Sequence, residues 1–190
     1  MSTPPRLVAD HVVLVDPAGD PIGTAPRATV HGTHTPLHLA FSCYLFRADG
    51  LVLMTRRSLA KRTWPGVWTN SVCGHPRVDE DMADAVARHA AHELGLVVDD
   101  VRTVLPGFRY RAVDAAGVVE NEICPVHVAT TDGLPAPHPD EVMDLRWVEP
   151  DDLARAVAAA PWAFSPWLVE QLEQLAPLGG LRVLAAGAAR

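Results

Sequence analysis

The sequence predicts an α+β fold. Three observations carry that prediction. β-prone apolar runs bounded by Gly, Pro and Asp turns recur from residue 11 to residue 130. Met82, Val86, Ala90 and Leu94 recur four apart, the stripe of an amphipathic helix. Pro150 and Pro166 then open helical patterns near the C-terminus, so strands dominate early and helices late.

Residues 1–6 are expected to fray. His11 to Val15 reads as a strand, Asp16 to Asp20 as its turn, and Pro21 to Pro26 as a short return strand. Arg27 to Pro36 has few apolar residues and reads as a loop. His38 to Phe46 reads as one strand with a hairpin partner at Leu51 to Arg56. Its alternation puts Leu39, Phe41, Cys43 and Leu45 on a core face and His38, Ala40, Ser42 and Tyr44 on the other. Ser58 to Pro65 is a loop, and Val67 to Val72 is an extended piece leading to Cys73. Asp81 to Leu94 is the striped helix, ended by Gly95. Val101 to Tyr110, Val118 to Thr130 and Asp140 to Val148 read as strands, with a turn at Asp114 to Gly117. Pro125 is expected to distort the second of these. Pro150 to Ala159 and Ser165 to Leu175 are helices. Residues 1–176 are read as a single domain, and the Gly- and Ala-rich tail from 177 to 190 is expected to have little order.

The bulk numbers exclude several function classes. A net charge of −7 provides no basic field for nucleic acid. No apolar stretch approaches the roughly 20 residues that a bilayer span needs, and residues 1–10 lack a basic start with a long apolar run. Three widely spaced cysteines, Cys43, Cys73 and Cys124, imply no disulfide framework, so a cytoplasmic location is expected.

The chemistry gathers around Cys73, Gly74 and His75, a thiol, a glycine hinge and an imidazole in three consecutive residues. His31 and His38 lie upstream. Glu120 and Glu122 lie downstream, two apart on a strand, so both carboxylates point to one side. Such a pair repels unless a cation intervenes or one acid is protonated. Alone it is most often a solvated strand face, and any one of the nine histidines is more often structural than a ligand. Together, three imidazoles and two carboxylates suit Zn²⁺, Mn²⁺ or Mg²⁺.

Gly74, Glu80, Arg88, Glu93 and Gly95 are spaced in a pattern that resembles the Nudix box. His89 and His92 stand where hydrolytic Nudix enzymes carry glutamates, which argues against hydrolysis by a metal-activated water. Longer runs sharpen the resemblance: His38 to Phe41, Thr55 to Arg57, Trp64 to Pro76, Phe108 to Arg111, Val119 to Glu122 and Pro161 to Trp167. In that order, from about His11 to Leu172, they resemble the metal-dependent, non-flavin isopentenyl-diphosphate delta-isomerases. The resemblance implies a Nudix-like fold, with a mixed β-sheet core sandwiched by helices. It implies interconversion of isopentenyl and dimethylallyl diphosphate through a carbocation.

It also implies roles. Cys73 and Glu122 would be the proton carriers, Tyr110 the partner of the catalytic glutamate, and Trp162 the shield of the cation. His31, His38, His75, Glu120 and Glu122 would hold one metal, and Glu93 a Mg²⁺ shared with the diphosphate. Arg57, Lys61 and Arg27 would bind the diphosphate. His89, standing where some relatives have arginine, is expected to weaken one phosphate contact. The expected partner is a small prenyl diphosphate, with no nucleic acid and no membrane, on a monomer or weak dimer. Two other readings stand beside this one. A Nudix pyrophosphatase would release phosphate. A module with a purely structural metal would unfold on chelation.

Overall fold

The computed structural model of the chain describes residues 10–188; the stretch expected to fray, residues 1–6, lies outside them. The strands are His11–Val15 (β1), Pro21–Pro26 (β2), His38–Leu39 (β3), Phe41–Phe46 (β4), Val52–Arg57 (β5), Trp68–Thr69 (β6), Val72–Gly74 (β7), Asp99–Leu105 (β8), Arg109–Val113 (β9), Val119–Ile123 (β10), Val126–Thr130 (β11) and Val142–Val148 (β12). The α-helices are Arg27–Val30 (α1), Met82–Leu94 (α2), Pro150–Ala159 (α3), Pro166–Leu175 (α4) and Gly180–Ala188 (α5). The single turn of α1 replaces part of the expected loop; Pro26, at φ −62°, sets its start.

Three segments read as single long strands are each two strands. The chain breaks between β3 and β4, between β8 and β9, and between β10 and β11. At each break it leaves one sheet for another: a five-stranded sheet ordered β2-β1-β3-β10-β9 and a seven-stranded one whose main path is β12-β5-β4-β11-β8. Pro125 has no N–H to give a ladder, which stops β10 from running into β11. The breaks are stitched side by side, Ala40 N–H to Ile123 O at 2.9 Å, Ser42 N–H to Pro125 O at 3.1 Å and Cys124 N–H to Phe108 O at 2.9 Å. Two parallel pairs, β3 with β10 and β4 with β11, make otherwise antiparallel sheets mixed.

Alternation along β4 holds, but both of its faces are core. Phe41, Cys43 and Leu45 pack with Val86 and Leu94 of α2. Tyr44 and Phe46 pack with Leu153, Trp167, Leu168 and Leu175 of α3 and α4. Helices on both sides bury a central strand completely, which a two-face reading of one strand does not reveal. Each such Leu or Phe contributes about 1.5–3 kcal/mol.

The expected disorder of the tail is corrected between residues 180 and 188. These residues form α5, and Leu181 and Ala185 are buried in the core with α3 and α4. Their spacing of four lays one apolar stripe on the domain, which Ala- and Gly-rich composition obscures.

α2 starts where Asp81 accepts the Ala83 N–H at 2.8 Å, and it ends at Gly95, whose φ of 65° is left-handed.

Candidate active site

The site lies where the chain passes between sheets. Register alone builds its centre: Glu122 stands opposite His38 on one side and Tyr110 on the other. On the next strands, Ser42 stands opposite Cys73. A cavity of about 670 Å³ opens here, lined among others by Arg27, His31, Arg57, Lys61, Cys73, His75, Tyr110, Glu120, Glu122 and Trp167.

His31, His38, His75 and Glu122 present one ligand atom each, all within 4.8 Å of one another. Glu122 Oε1 is the focus: His38 Nε2 and His75 Nε2 each lie 3.3 Å away and His31 Nε2 3.9 Å. The last is longer than a hydrogen bond. His31 Nε2 and His38 Nε2 are buried with no hydrogen-bond partner. His38 Nδ1 lies 2.9 Å from Pro36 O. A carbonyl only accepts, so Nδ1 carries the proton and Nε2 offers a lone pair. Lone pairs and a carboxylate converging on one point fit a divalent metal ion. Burial draws the His75 imidazole down to about 4, against the pull of Glu122. Burial pushes Glu122 up, but the three imidazoles outweigh it and hold the carboxyl well below its ordinary range.

Glu120 is beside this group rather than in it. Thr63 Oγ1 donates to its Oε1 at 2.5 Å, and Tyr110 OH donates to its Oε2. Burial first, and the neighbouring Glu122 charge second, push the Glu120 carboxyl up. Tyr110 OH also reaches Glu122 Oε2 at 2.9 Å, so the phenol bridges the two acids.

Cys73 Sγ lies 3.1 Å from Asn70 Oδ1 and 3.3 Å from Ser42 Oγ. The Asn70 amide has one orientation: its Nδ2 donates to Cys43 O and Val72 O, and its Oδ1 accepts from Trp167 Nε1. An oxygen that only accepts therefore faces the sulfur, which must carry its proton. Burial pushes the thiol up to about 11, opposed by Ser42, Asn70 and the Arg57 charge.

Gly74 is not the expected hinge. It lies in β7, and a Cβ there would meet the His89 ring at 2.5 Å, so the demand is for space. His89 is buried beneath it, its Nδ1 3.0 Å from Glu93 Oε1, and is not a lining residue of the cavity. The side chain at that position is thus turned to Glu93 rather than to the cavity. Glu93 is not part of the His31, His38, His75 and Glu122 group and lies against a small second cavity that Arg57, Lys61, Cys73 and Glu141 also line. Burial pushes its carboxyl up, and His89, Lys61 and Arg57 more than reverse the shift.

Trp162 does not reach the site. It is 84% exposed on the 3₁₀ turn Pro161–Ala163. Phe164 is extended and bridges to Trp68, and Ser165 N–H bonds Trp68 O at 2.9 Å. That anchor turns the first turn of α4 inward, so Trp167 lines the cavity at 2% exposure. Its ring centroid is 5.6 Å from that of Tyr110, and the Arg57 guanidinium lies 5.4 Å from its centre.

Arg57 is fixed by bonds to Thr63 O at 2.8–3.0 Å. Arg27 pairs with Asp10 at 3.0 Å and Lys61 pairs with Glu141. Sequence reasoning missed Asn70, Ser42, Trp167 and Glu141. Asn70 lay in the run Trp64 to Pro76, Trp167 ended the run with Trp162, and Ser42 shared the strand face of His38, so three of the four carried a signal.

A family model for the NUDIX domain matches residues 36–168. An isopentenyl-diphosphate Delta-isomerase of Agromyces mediolanus is 62% identical over 176 residues, covering 93% of this chain and 85% of that protein. One of Clavibacter sepedonicus is 61% identical over 166 residues, 87% of each chain. Among solved structures, DR0079 from Deinococcus radiodurans superposes with a TM-score of 0.64 at 19% identity, covering 95% of this chain and 99% of that one. A MutT protein from Methanosarcina mazei Go1 superposes at 0.58 with 18% identity, covering 76% of this chain and 96% of that one. The two structural likenesses speak to the fold alone.

Proposed function

The chain belongs to the isopentenyl-diphosphate Delta-isomerases of the NUDIX family, and we propose that Cys73 and Glu122 are the proton carriers with which it interconverts isopentenyl and dimethylallyl diphosphate. The observation that carries this reading is one cavity in which a protonated thiol and a carboxylate both face the space left for substrate, with cations beside them.

The alkene must gain a proton at its terminal carbon and lose one from the carbon next to the diphosphate-bearing methylene. Cys73 Sγ gives the first, leaving a tertiary carbocation and a thiolate. Glu122 Oε2, away from the imidazoles, takes the second; the acidity of a carbocation's neighbouring C–H makes even this weak base sufficient. Tyr110 holds Glu122 in place and the reverse reaction exchanges the two roles. The face of Trp167, rather than Trp162, shields the cation, an attraction of about 2 kcal/mol when desolvated. Arg57, Lys61 and Arg27 hold the diphosphate, the first two from pre-set positions that spare ordering entropy.

His31, His38, His75 and Glu122 would hold the divalent metal, with Glu120 beside them through Tyr110. Bound there, the metal would neutralise Glu122 and fix its orientation. Three imidazoles favour Zn²⁺ or Mn²⁺ over Mg²⁺, which prefers oxygen. Glu93 is assigned the Mg²⁺ that accompanies the diphosphate.

Incubation with isopentenyl diphosphate and a divalent metal in D₂O tests the reading. Dimethylallyl diphosphate carrying deuterium is expected from the wild type, with no phosphate released, and no turnover from Cys73→Ala. Near-normal turnover by Cys73→Ala would refute the role of the thiol.

A further inference from the structure

Glu141 has no part in the chemistry above, yet it lines both cavities and its carboxylate is paired with the Lys61 ammonium. Both side chains are mostly covered, at 15% and 17% exposure. The backbone fixes Glu141 from two directions. Its N–H bonds His138 O at 3.0 Å, and its C=O accepts the Ser58 N–H at 2.9 Å. Ser58 O in turn accepts the Lys61 N–H at 3.1 Å. The 138–141 turn itself hangs on α2, where His138 N–H bonds Glu93 O at 2.9 Å. One short turn thus ties the helix carrying Glu93 to the loop carrying Lys61, through main chain and side chain together.

We infer that Glu141 is a positioning residue for diphosphate binding, acting through Lys61. A lysine side chain is long and flexible, and holding it still costs much of its rotamer entropy. A carboxylate on a fixed turn does this before substrate arrives. An ammonium has three N–H donors; one on Glu141 leaves two for phosphate oxygens. The contrast is with Arg27, whose partner Asp10 is 70% exposed, so that water competes for that pair. The opposite role, in which Glu141 competes with phosphate for Lys61, predicts the reverse effect of its removal.

The inference rests on the reading of Lys61 as a diphosphate ligand, and a double-mutant cycle separates the two. Calorimetry of the metal-loaded full chain would use inorganic pyrophosphate with Mg²⁺ as probe, alongside steady-state kinetics. Glu141→Gln is expected to weaken pyrophosphate binding and raise KM about tenfold, with kcat changed less than about twofold. In a Lys61→Met background the same change is expected to cost less than about twofold. Glu141→Asp should restore part of the affinity, whereas loss of fold alone would show as a lowered Tm with no dependence on Lys61. Unchanged or tighter binding by Glu141→Gln, or an equal loss in both backgrounds, would overturn the inference. If Lys61→Met alone leaves binding unchanged, the assignment of Lys61 fails instead.

Discussion

The Trp167 indole N–H and the Cys73 thiol both point at one atom, Asn70 Oδ1, each 3.1 Å from it. The proposed acid and the proposed aromatic wall are therefore set by a single buried amide that does not itself line the main cavity. Thr69 extends the link, its hydroxyl lying 3.0 Å from Asn70 Oδ1 and 2.8 Å from Ser165 Oγ, which precedes α4.

Asn70→Ala should lower kcat about ten- to a hundredfold while KM moves little, because the thiol loses its direction and diphosphate binding does not. It also strands Cys43 O, Val72 O and the Trp167 N–H, each at about 1–3 kcal/mol if left unpaired. Steady-state kinetics with denaturant unfolding checks both. A change confined to stability would leave Asn70 a purely structural residue.

Exchanging the two tryptophans separates the positions. Trp162→Ala, on the surface, should keep turnover within about twofold and stability within about 0.5 kcal/mol. Trp167→Phe keeps an apolar ring but loses the N–H bond, and should cut kcat about tenfold or more. Equal effects of the two changes in rate measurements would sink the assignment of Trp167.

Removal of the metal should stop turnover and leave the helices intact, since the core formed by β4, β5, α2 and α4 does not pass through the imidazole cluster. Dialysis against a chelator, followed by circular dichroism and an assay after adding metal back, measures this. His38→Ala should weaken metal binding at least about tenfold in metal analysis of the purified protein. Collapse of the fold on chelation would favour the structural-metal reading.

Stability should also fall in acid over a defined window. Arg88, by its hydrogen bonds, holds Glu80 down to about 2 from an ordinary value of 4.5. A carboxyl depressed in the folded state stabilises fully above its unfolded value, and the contribution disappears as pH falls from about 4.5 to 2. The pair is near the surface, with side chains 15% and 29% exposed, so the screened contribution is about 1 kcal/mol. Glu80→Gln should therefore lower stability at pH 6 and flatten its fall below pH 4.5 in denaturant titrations. Parallel curves for variant and wild type would contradict this. Arg88 also donates to His75 O at 3.0 Å, so the same pair steadies the loop that carries a proposed metal ligand.

Local sequence carried most of the elements. Period and turn chemistry located the strands, the Asp81 and Gly95 ends of α2, and the starts of α3 and α4, because these depend on neighbours a few residues away. The same local information could not show that Ala40 and Cys124 mark crossings between sheets. An extended chain looks alike whether it stays in one ladder or passes to another. Nor could it show that α5 docks, since a stripe of Leu181 and Ala185 acquires meaning only against α3 and α4.

For the site, the residue types along the chain determined which chemistry was available: a thiol, imidazoles, acids and cations in an order that resembles one family. Tertiary packing decided which of them meet. It gathered His31, His38 and His75 on Glu122, set Glu120 aside on Thr63 and Tyr110, and chose Trp167 over Trp162. The physical reason is that ligation, hydrogen bonding and shielding act over a few ångströms, while the residues concerned lie up to about a hundred positions apart. Only the register of β3, β9 and β10 and the anchoring of α4 convert that order into distances.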